Sequence, residues 1–456
     1  MREVPTQADV VVVGAGSAGA TAAIAAARAG ARTLLLERHG FLGGTSTAVL
    51  DTFYGAYLPR TARLGPDGKP VDRGTKVVGG LLDEVVAGLA AIGRVVHRPN
   101  SFGAGTGITY HPEHLKVVWE DLVQAAGVKV LLYATVQDAT VVDGSVREVL
   151  VATKAGLRRV TGRVFVDASG DADLCHFAGV GYELAGSVEP AQTLTTTFRM
   201  CNVDVERRFS ISKQELTELM REAAESGAYD LPRRDGSDHI TPVDGMTATI
   251  MTRLASYRRE DGEVRNATDP ELLSEAEMRG RRQALEYVRF LRDRVPGYER
   301  AELAAFGVQI GVRETRRVYG DYRLTREDVL AGRQFDDQIG LCGAPIEDHH
   351  DGAGTVWQYL PEGAAVGIPY RTLLVRDADN LLVAGRCFSA THDAHAAVRS
   401  MAQCMTMGQA AGTAAALAAA TGRSPRDVPP AQLQHRLRDA GAILSTPTGA
   451  QTNTSP

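Results

Sequence analysis

The stretch AGRCFSATHDAHAAVRSMAQCM, from Ala384 to Met405, gathers two cysteines, two histidines, an aspartate and two arginines. Three chemistries fit those residue types. His392 and His395 stand three apart, as metal ligands can, but zinc wants three or four protein donors at one point. The other paired donors, His349 and His350, are adjacent on a glycine-containing loop, and neighbours there rarely ligate one ion, so no metal is expected. Cys387 beside Arg386 has a cation to activate its thiol, yet no redox partner lies at CxxC spacing. The third chemistry is management of protons and charge around a separate reactive group. A histidine titrating near 6.5 serves as a base and an arginine as a fixed cation. His392 and Arg399, joined by Arg313 from VRETRRVYGDYRL, are the candidate catalytic residues; His395 has the same chemistry.

The first forty residues supply the reactive group. DVVVVGAGSAGATAAIAAARAGARTLLLER reads as strand, tight turn, helix and strand. Gly14, Gly16 and Gly19 make GxGxxG, with Ser17 and Ala18 opening the helix. The first glycine permits the turn, the second lets backbone approach a pyrophosphate, and the third lets helix and strand sit close. Glu37 ends the second strand where a carboxylate accepts ribose hydroxyls, with Arg38 beside it. A carboxylate there would repel a 2′-phosphate. The pyrophosphate is expected at the helix N-terminus. Then comes RHGFLGGTSTAVLD, a loop in which Gly43 and Gly44 precede Thr45 and Ser46. Paired glycines followed by hydroxyls suit close passage of a long polar chain such as the ribityl of a flavin. A flexible surface loop is the plain alternative.

Bulk properties narrow the class. A chain of 456 residues exceeds one ordinary core, so two domains are expected. Its 44% hydrophobic and 23% charged residues are those of a globular protein, and a net charge of -5 gives no basic surface for nucleic acid. Five scattered cysteines encode no disulfide framework and point to a reducing, cytoplasmic setting. Neither Val10–Ala31 nor Met401–Ala420 reads as a membrane segment: acids precede the first, and the second is Ala-, Gly- and Gln-bearing, as suits a closely packed buried helix.

The chain resembles the FAD-dependent oxidoreductases allied to the glutathione-reductase-type flavoproteins, in the loosely fumarate-reductase-like branch. The segments that carry the likeness include VVVGAGSAGATAAIAAARAG, LLLERHGFLGGTST, GRVFVDASGDADLCHFAGV, GVRETRRVYGDYRLTREDVLAGRQFDD and DNLLVAGRCFSATHDAHAAVRSMAQCM, and they run from residue 9 to about 420. The resemblance implies FAD as cofactor. It implies adenine contact through the backbone of Val136, and a turn from Ala168 to Gly170 against the diphosphate and ribose, with Asp171 just beyond. It also places Gly385 and Arg386 along the ribityl and phosphate. A helix beginning near Met401 should face the flavin pyrimidine edge, where its N-terminal dipole suits negative charge. VRETRRV becomes a signature segment near an interdomain cleft, so Arg313 or Arg316 can clamp an acidic or polar substrate. Otherwise such an arginine run is a salt-bridged face. A covalent flavin link through His or Cys stays open.

The expected architecture is α/β: a Rossmann-like FAD-binding domain, with a central parallel sheet, helices and a β-meander, plus a mixed α+β substrate or cap domain. The first is assembled from residues 1–55, 110–190 and 371–425, the second from 56–109 and 191–370, and 440–456 is expected to be a disordered tail. Trp357, Tyr359 and Tyr370 are candidate pocket walls. The amphipathic helix DPELLSEAEMRGRRQALEYVRFLRDRV should bury Leu272, Leu285, Val288, Leu291 and Val295. No second strand–GxGxxG–helix unit appears, so electrons should pass between a small-molecule substrate and an external acceptor or donor. The expected activity is two-electron oxidation or reduction at the flavin N5, of dehydrogenase or oxidase type. An FAD monooxygenase is the alternative, although AGRCFSATHDAH departs from the GD turn those enzymes show late in the chain. A non-catalytic nucleotide-binding protein is another, and a homo-oligomer is compatible with the sequence.

Overall fold

Four consecutive valines suit a strand buried on both faces, and β1 (Gln7–Val13) is that strand, with Val10, Val11 and Val12 fully buried. The computed structural model describes residues 7–63, 71–100, 104–350 and 352–446. After β1 the chain turns at Gly14 into α1 (Ser17–Arg28), returns as β2 (Thr33–Leu36), and later adds β3 (Lys129–Leu131). Then β4 (Thr135–Val142), β5 (Ser145–Thr153) and β6 (Gly156–Asp167) form an antiparallel meander. Its first turn is Asp143-Gly144, both at positive φ, as a two-residue hairpin requires.

A second layer follows. It contains β7 (Phe198–Cys201), β8 (Ser237–Ile240), β9 (Thr247–Ile250), α2 (Pro270–Arg294) and β10 (Glu302–Phe306), with antiparallel sheet order β8-β9-β7-β10. The segment AQTLTTTFRM is shorter as a strand than it reads: Leu194 and Thr195 make only isolated bridges to Leu254 and Gly311. Asp269 caps α2 by accepting from the Leu272 amide at 2.8 Å, and Pro270 fills the first turn. Leu272, Val288 and Leu291 are buried on one face, as is Val295 just past its end. Leu285 corrects the expected stripe; it is half exposed, on the solvent side.

The chain then rejoins the first sheet through β11 (Leu381–Val383) and ends in α3 (His392–Val398), α4 (Met401–Thr421) and a short final helix. The order β3-β2-β1-β6-β5-β4, with β11 also paired to β6, makes a Rossmann-like sheet whose first half is parallel. Val13 lies beside Leu36 and Asp167, and Val383 beside Asp167. Four strands therefore stop together, and the turns that follow them share one crevice at the carboxyl edge, where ligands of open α/β sheets bind.

Helix α4 crosses α1 at contact distance because the crossing uses residues without bulk. A Cβ at Gly408 would collide with the Ala18 carbonyl, and one at Gly412 with that of Ala22. The disordered tail expected from residue 440 does not start there. Leu444 is buried and its carbonyl accepts from Gln338 Nε2, while residues 447–456 lie outside the described residues. Among the described residues no helix is long and apolar enough to cross a membrane.

Candidate functional site: one cleft with two ends

The turn after β1 is fixed by backbone contact. Gly14 has φ +88°, and a Cβ there would meet the Ala168 carbonyl oxygen at 2.6 Å. A Cβ at Gly16, by contrast, would meet nothing within 4 Å and would project into open space. That glycine borders a cleft that extends from the strand-end turns into the second layer. Ser17 Oγ, at the start of α1, is buried on the cleft wall without a hydrogen-bond partner.

Glu37 closes the far side of the turn. Its Oε2 accepts from the Ala15 amide at 2.7 Å and its Oε1 from the His39 amide at 2.8 Å. Burial works against the charge, but His39 and the two amides outweigh it and hold the carboxyl below its usual range. The loop after β2 is threaded tightly: the Gly43 amide donates to Ala15 O at 2.8 Å, and Gly44 sits at φ +53° against Gly16.

The opposite wall comes from β6 and β11. Arg386 Nη2 donates to Asp171 Oδ1 at 2.8 Å, and Thr315 Oγ1 donates to the same oxygen at 2.9 Å. Ala172 is left-handed at φ 56°, which sends Asp173 back toward the cleft. Burial, with Asp171 and Asp167 nearby, raises the Asp173 carboxyl to about 6. Ser400 caps α4 without a side-chain bond, and Met401 follows it on the cleft wall.

An open cradle at Gly16, an unpartnered Ser17 hydroxyl at a helix start, and a carboxylate at the second strand end fit a dinucleotide with unphosphorylated ribose. Of the residues anticipated for FAD, the cleft is lined by Gly14, Gly16, Ser17, Ala18, Glu37, Arg38, Gly44, Thr45, Val136, Ala168, Gly170, Gly385, Arg386 and Met401. Four sit behind it. A Cβ at Gly19 would collide with the Gly14 carbonyl, so that residue serves helix–strand packing. Gly43 lies under the wall, bonded to Ala15. Ser46 Oγ turns inward and donates to Gly43 O at 2.7 Å. Asp171 orients Arg386 instead of facing the cleft.

The inner end is built by Leu50, Tyr54, Arg98, Arg233, His239, Ile250, Arg313, Glu347, His349, Trp357 and Arg399. Arg399 and Arg313, the two arginines among the candidate catalytic residues, both line this end. His392 is not on the cleft wall. Its Nδ1 lies 3.0 Å from Glu314 Oε1 and its Nε2 3.3 Å from Asp348 Oδ1. Two carboxylates fix it as an imidazolium, which corrects its assignment as a base. His395 Nε2 bonds the Arg386 carbonyl at 2.8 Å, and burial depresses its pKa to about 3. Beyond Arg313, the arginine run is a salt-bridged face: Arg317 pairs with Glu314 and Glu183, and Arg316 with Asp173 at 3.2 Å. Burial pushes the Cys387 thiol up despite Arg386, and Cys404 to about 12, so neither is an activated nucleophile. Tyr370 is core, its hydroxyl donating to Pro425 O at 2.9 Å; Trp357 does line the cleft, with Tyr359 stacked on it.

Sequence reasoning missed His239, Arg98 and Arg233. His239 stands on β8 with Nε2 2.8 Å from Asp51 Oδ1. Arg98 Nη2 donates to Tyr54 OH at 3.0 Å and its Nε to Thr109 Oγ1 at 3.0 Å. For Arg98 and His239 the one sequence signal was weak, a charged or titratable residue inside a short strand-like run; Arg233, in the loop before β8, had none.

Residues 9–437 match the family model described as FAD dependent oxidoreductase. No curated protein matches the chain. Among solved structures the chain is similar to a geranylgeranyl bacteriochlorophyll reductase-like protein from Thermoplasma acidophilum (14% identity, 95% of this chain and 83% of that one, TM-score 0.44). It is also similar to p-nitrophenol 4-monooxygenase from Pseudomonas putida (10%, 96% and 85%, 0.46) and to an L-amino acid deaminase from Proteus vulgaris (13%, 88% and 89%, 0.41).

Proposed function

Because the chain belongs to the FAD-dependent oxidoreductase family, we propose that it oxidises or reduces a small organic molecule by two electrons, with an external acceptor or donor completing the cycle. The observation that carries this reading is the continuity of the cleft. It runs without a break from the glycine turn at Gly16 to a polar chamber containing Arg313, His239 and Arg399. FAD bound there supplies a ring that accepts or gives a hydride at N5.

The chain's own residues hold the nucleotide and handle the accompanying proton. Gly14, Gly16, Ser17 and Glu37 would hold the adenosine and pyrophosphate, with Arg386 and the start of α4 toward the ring. His239 is the proton acceptor in this reading. Its Nε2 faces Asp51, which fixes the ring and leaves Nδ1 as the nitrogen available to a ligand. Burial and Arg98 lower the His239 pKa despite Asp51, so the ring is neutral and basic near neutrality. His349 is less suited, since Glu347 and Thr355 occupy both its nitrogens, at 2.9 and 3.2 Å. The segment after residue 190 contributes Arg233, His239, Ile250, Arg313, Glu347 and Trp357 to the chamber wall.

Anaerobic bleaching of the purified yellow protein by candidate reductants tests the reading. A colourless protein, or one that no reductant bleaches, sinks it; oxygen uptake coupled to an oxygenated product would replace it with a monooxygenase.

A further inference from the structure

Arg313 and Arg399 reach the inner chamber from different elements, and both rest on one extended segment. Arg313 Nη1 donates to Thr193 O at 2.6 Å and to Thr195 Oγ1 at 2.8 Å. Arg399 Nη2 donates to Gln192 Oε1 at 2.7 Å. The neighbouring arginines are neutralised, Arg233 by Asp235 at 2.7 Å and Arg386 by Asp171 at 2.8 Å. Arg313 and Arg399 are not: among the described residues no carboxylate oxygen lies within 4.0 Å of either guanidinium. Arg399 Nε and Gln192 Nε2 are also buried without partners.

This arrangement is costly as it stands. After burial, the largest influence opposing the charge of Arg313 is Arg399 itself. Arginine stays protonated at any working pH, so the repulsion is not relieved by losing a proton. Four guanidiniums (Arg233, Arg253, Arg313 and Arg399) act on Asp235 and Glu347 there, and Arg399 is also steadied by Glu314 and Asp348, which His392 already engages. A third of the Glu347 side chain faces the cavity, although the residue lies deep in the molecule. The inner wall sets Arg98, Arg233, Arg313 and Arg399 against one carboxylate, Glu347, and two of those planar forks are placed to receive another.

We propose that Arg313 and Arg399 form a clamp for the carboxylate of a small organic acid, and that this acid is the substrate. The inference rests on the redox reading above and narrows its substrate class. The clamp would hold one end of the acid while its reacting carbon meets the ring. In the oxidative direction a C–H bond breaks and its electron pair leaves with the hydrogen to FAD. An O–H or N–H proton on the adjoining atom passes to His239, and the external acceptor later takes the electron pair from FAD.

The test uses the oxidised, FAD-loaded protein and needs no turnover. Acetate, lactate, benzoate and succinate are titrated against their neutral amides and against inorganic phosphate, reading the flavin absorbance and the melting temperature. At least one acid should bind saturably, and about ten-fold or more tighter than its amide, because hydrogen bonds to charged groups are the stronger class. Arg313→Gln and Arg399→Gln should each weaken that acid about ten-fold or more with FAD content unchanged, and Arg313→Lys should recover only part of the loss. Acids binding no better than amides, phosphate alone binding, or variants that leave acid affinity untouched would each overturn the clamp. The wild-type comparison decides the matter even if a variant fails to fold. Loss of the redox reading would look different: no flavin, or flavin that nothing bleaches.

Discussion

His392 Nδ1 lies 3.0 Å from Glu314 Oε1 while its Nε2 lies 3.3 Å from Asp348 Oδ1, so one imidazole joins α3 to two carboxylates from separate segments. Burial opposes its charge, but Asp348 and Glu314 prevail and lift its pKa to about 10. Glu314 in turn is held at about 2 by His392 and Arg317 against its own burial. Both shifts are stability linked to pH.

A raised histidine stabilises fully below its unfolded pKa of about 6.5 and loses that contribution as pH climbs toward about 10. A depressed glutamate contributes above 4.5 and loses it as pH falls toward about 2. His392→Gln should cost about 2 kcal/mol near pH 6, since it leaves buried Glu314 with Arg317 as its one remaining ion-pair cation among the described residues. Calorimetry across pH checks this. A wild-type advantage that stays constant into the alkaline range would show that His392 carries no charge in the fold.

Gly14 and Gly16 should separate folding from cofactor binding. Gly14→Ala forces a Cβ into a left-handed residue 2.6 Å from Ala168 O and should cost about 2 kcal/mol or more. Gly16→Ala is at φ -64° with no atom within 4 Å, so the FAD-free protein should melt within about 0.5 kcal/mol of wild type. Its methyl nevertheless enters the cleft, and FAD affinity should drop about ten-fold or more. Unchanged FAD binding by Gly16→Ala would remove that turn from the nucleotide site.

Gly412→Val tests the helix crossing. The new Cβ collides with the Ala22 carbonyl, backbone that cannot rotate aside, so a loss of about 3 kcal/mol is expected. Because α1 presents Ser17 to the cleft, FAD retention should fall with it. Melting and flavin content measured together would refute the coupling if stability fell and FAD stayed.

His239→Gln should slow flavin reduction by roughly a hundred-fold or more while FAD remains bound. Asp51→Asn should slow it less, as Asp51 only positions the ring. With the His239 pKa lowered, the acid limb of the reduction rate should fall below about pH 6.5. A wild-type reduction rate in His239→Gln would return the search for the base to Tyr54 and His349.

The sequence by itself determined the nucleotide half, because its signals are local. Four valines, three glycines and an acid occur within one βαβ unit, and spacing along the chain there is spacing in space. The meander turn at Asp143-Gly144 and the start of α4 near Met401 were legible for the same reason. Which residues meet inside the chamber was decided only by tertiary structure. Arg98, His239, Arg313 and Arg399 sit on elements separated by scores of residues, and no periodicity records which strands will face one another. His392 shows the limit most clearly: its residue type suited a base, but Glu314 and Asp348, distant in the chain, set its charge. Protonation depends on neighbours within a few ångströms, and those neighbours exist only once the chain has folded.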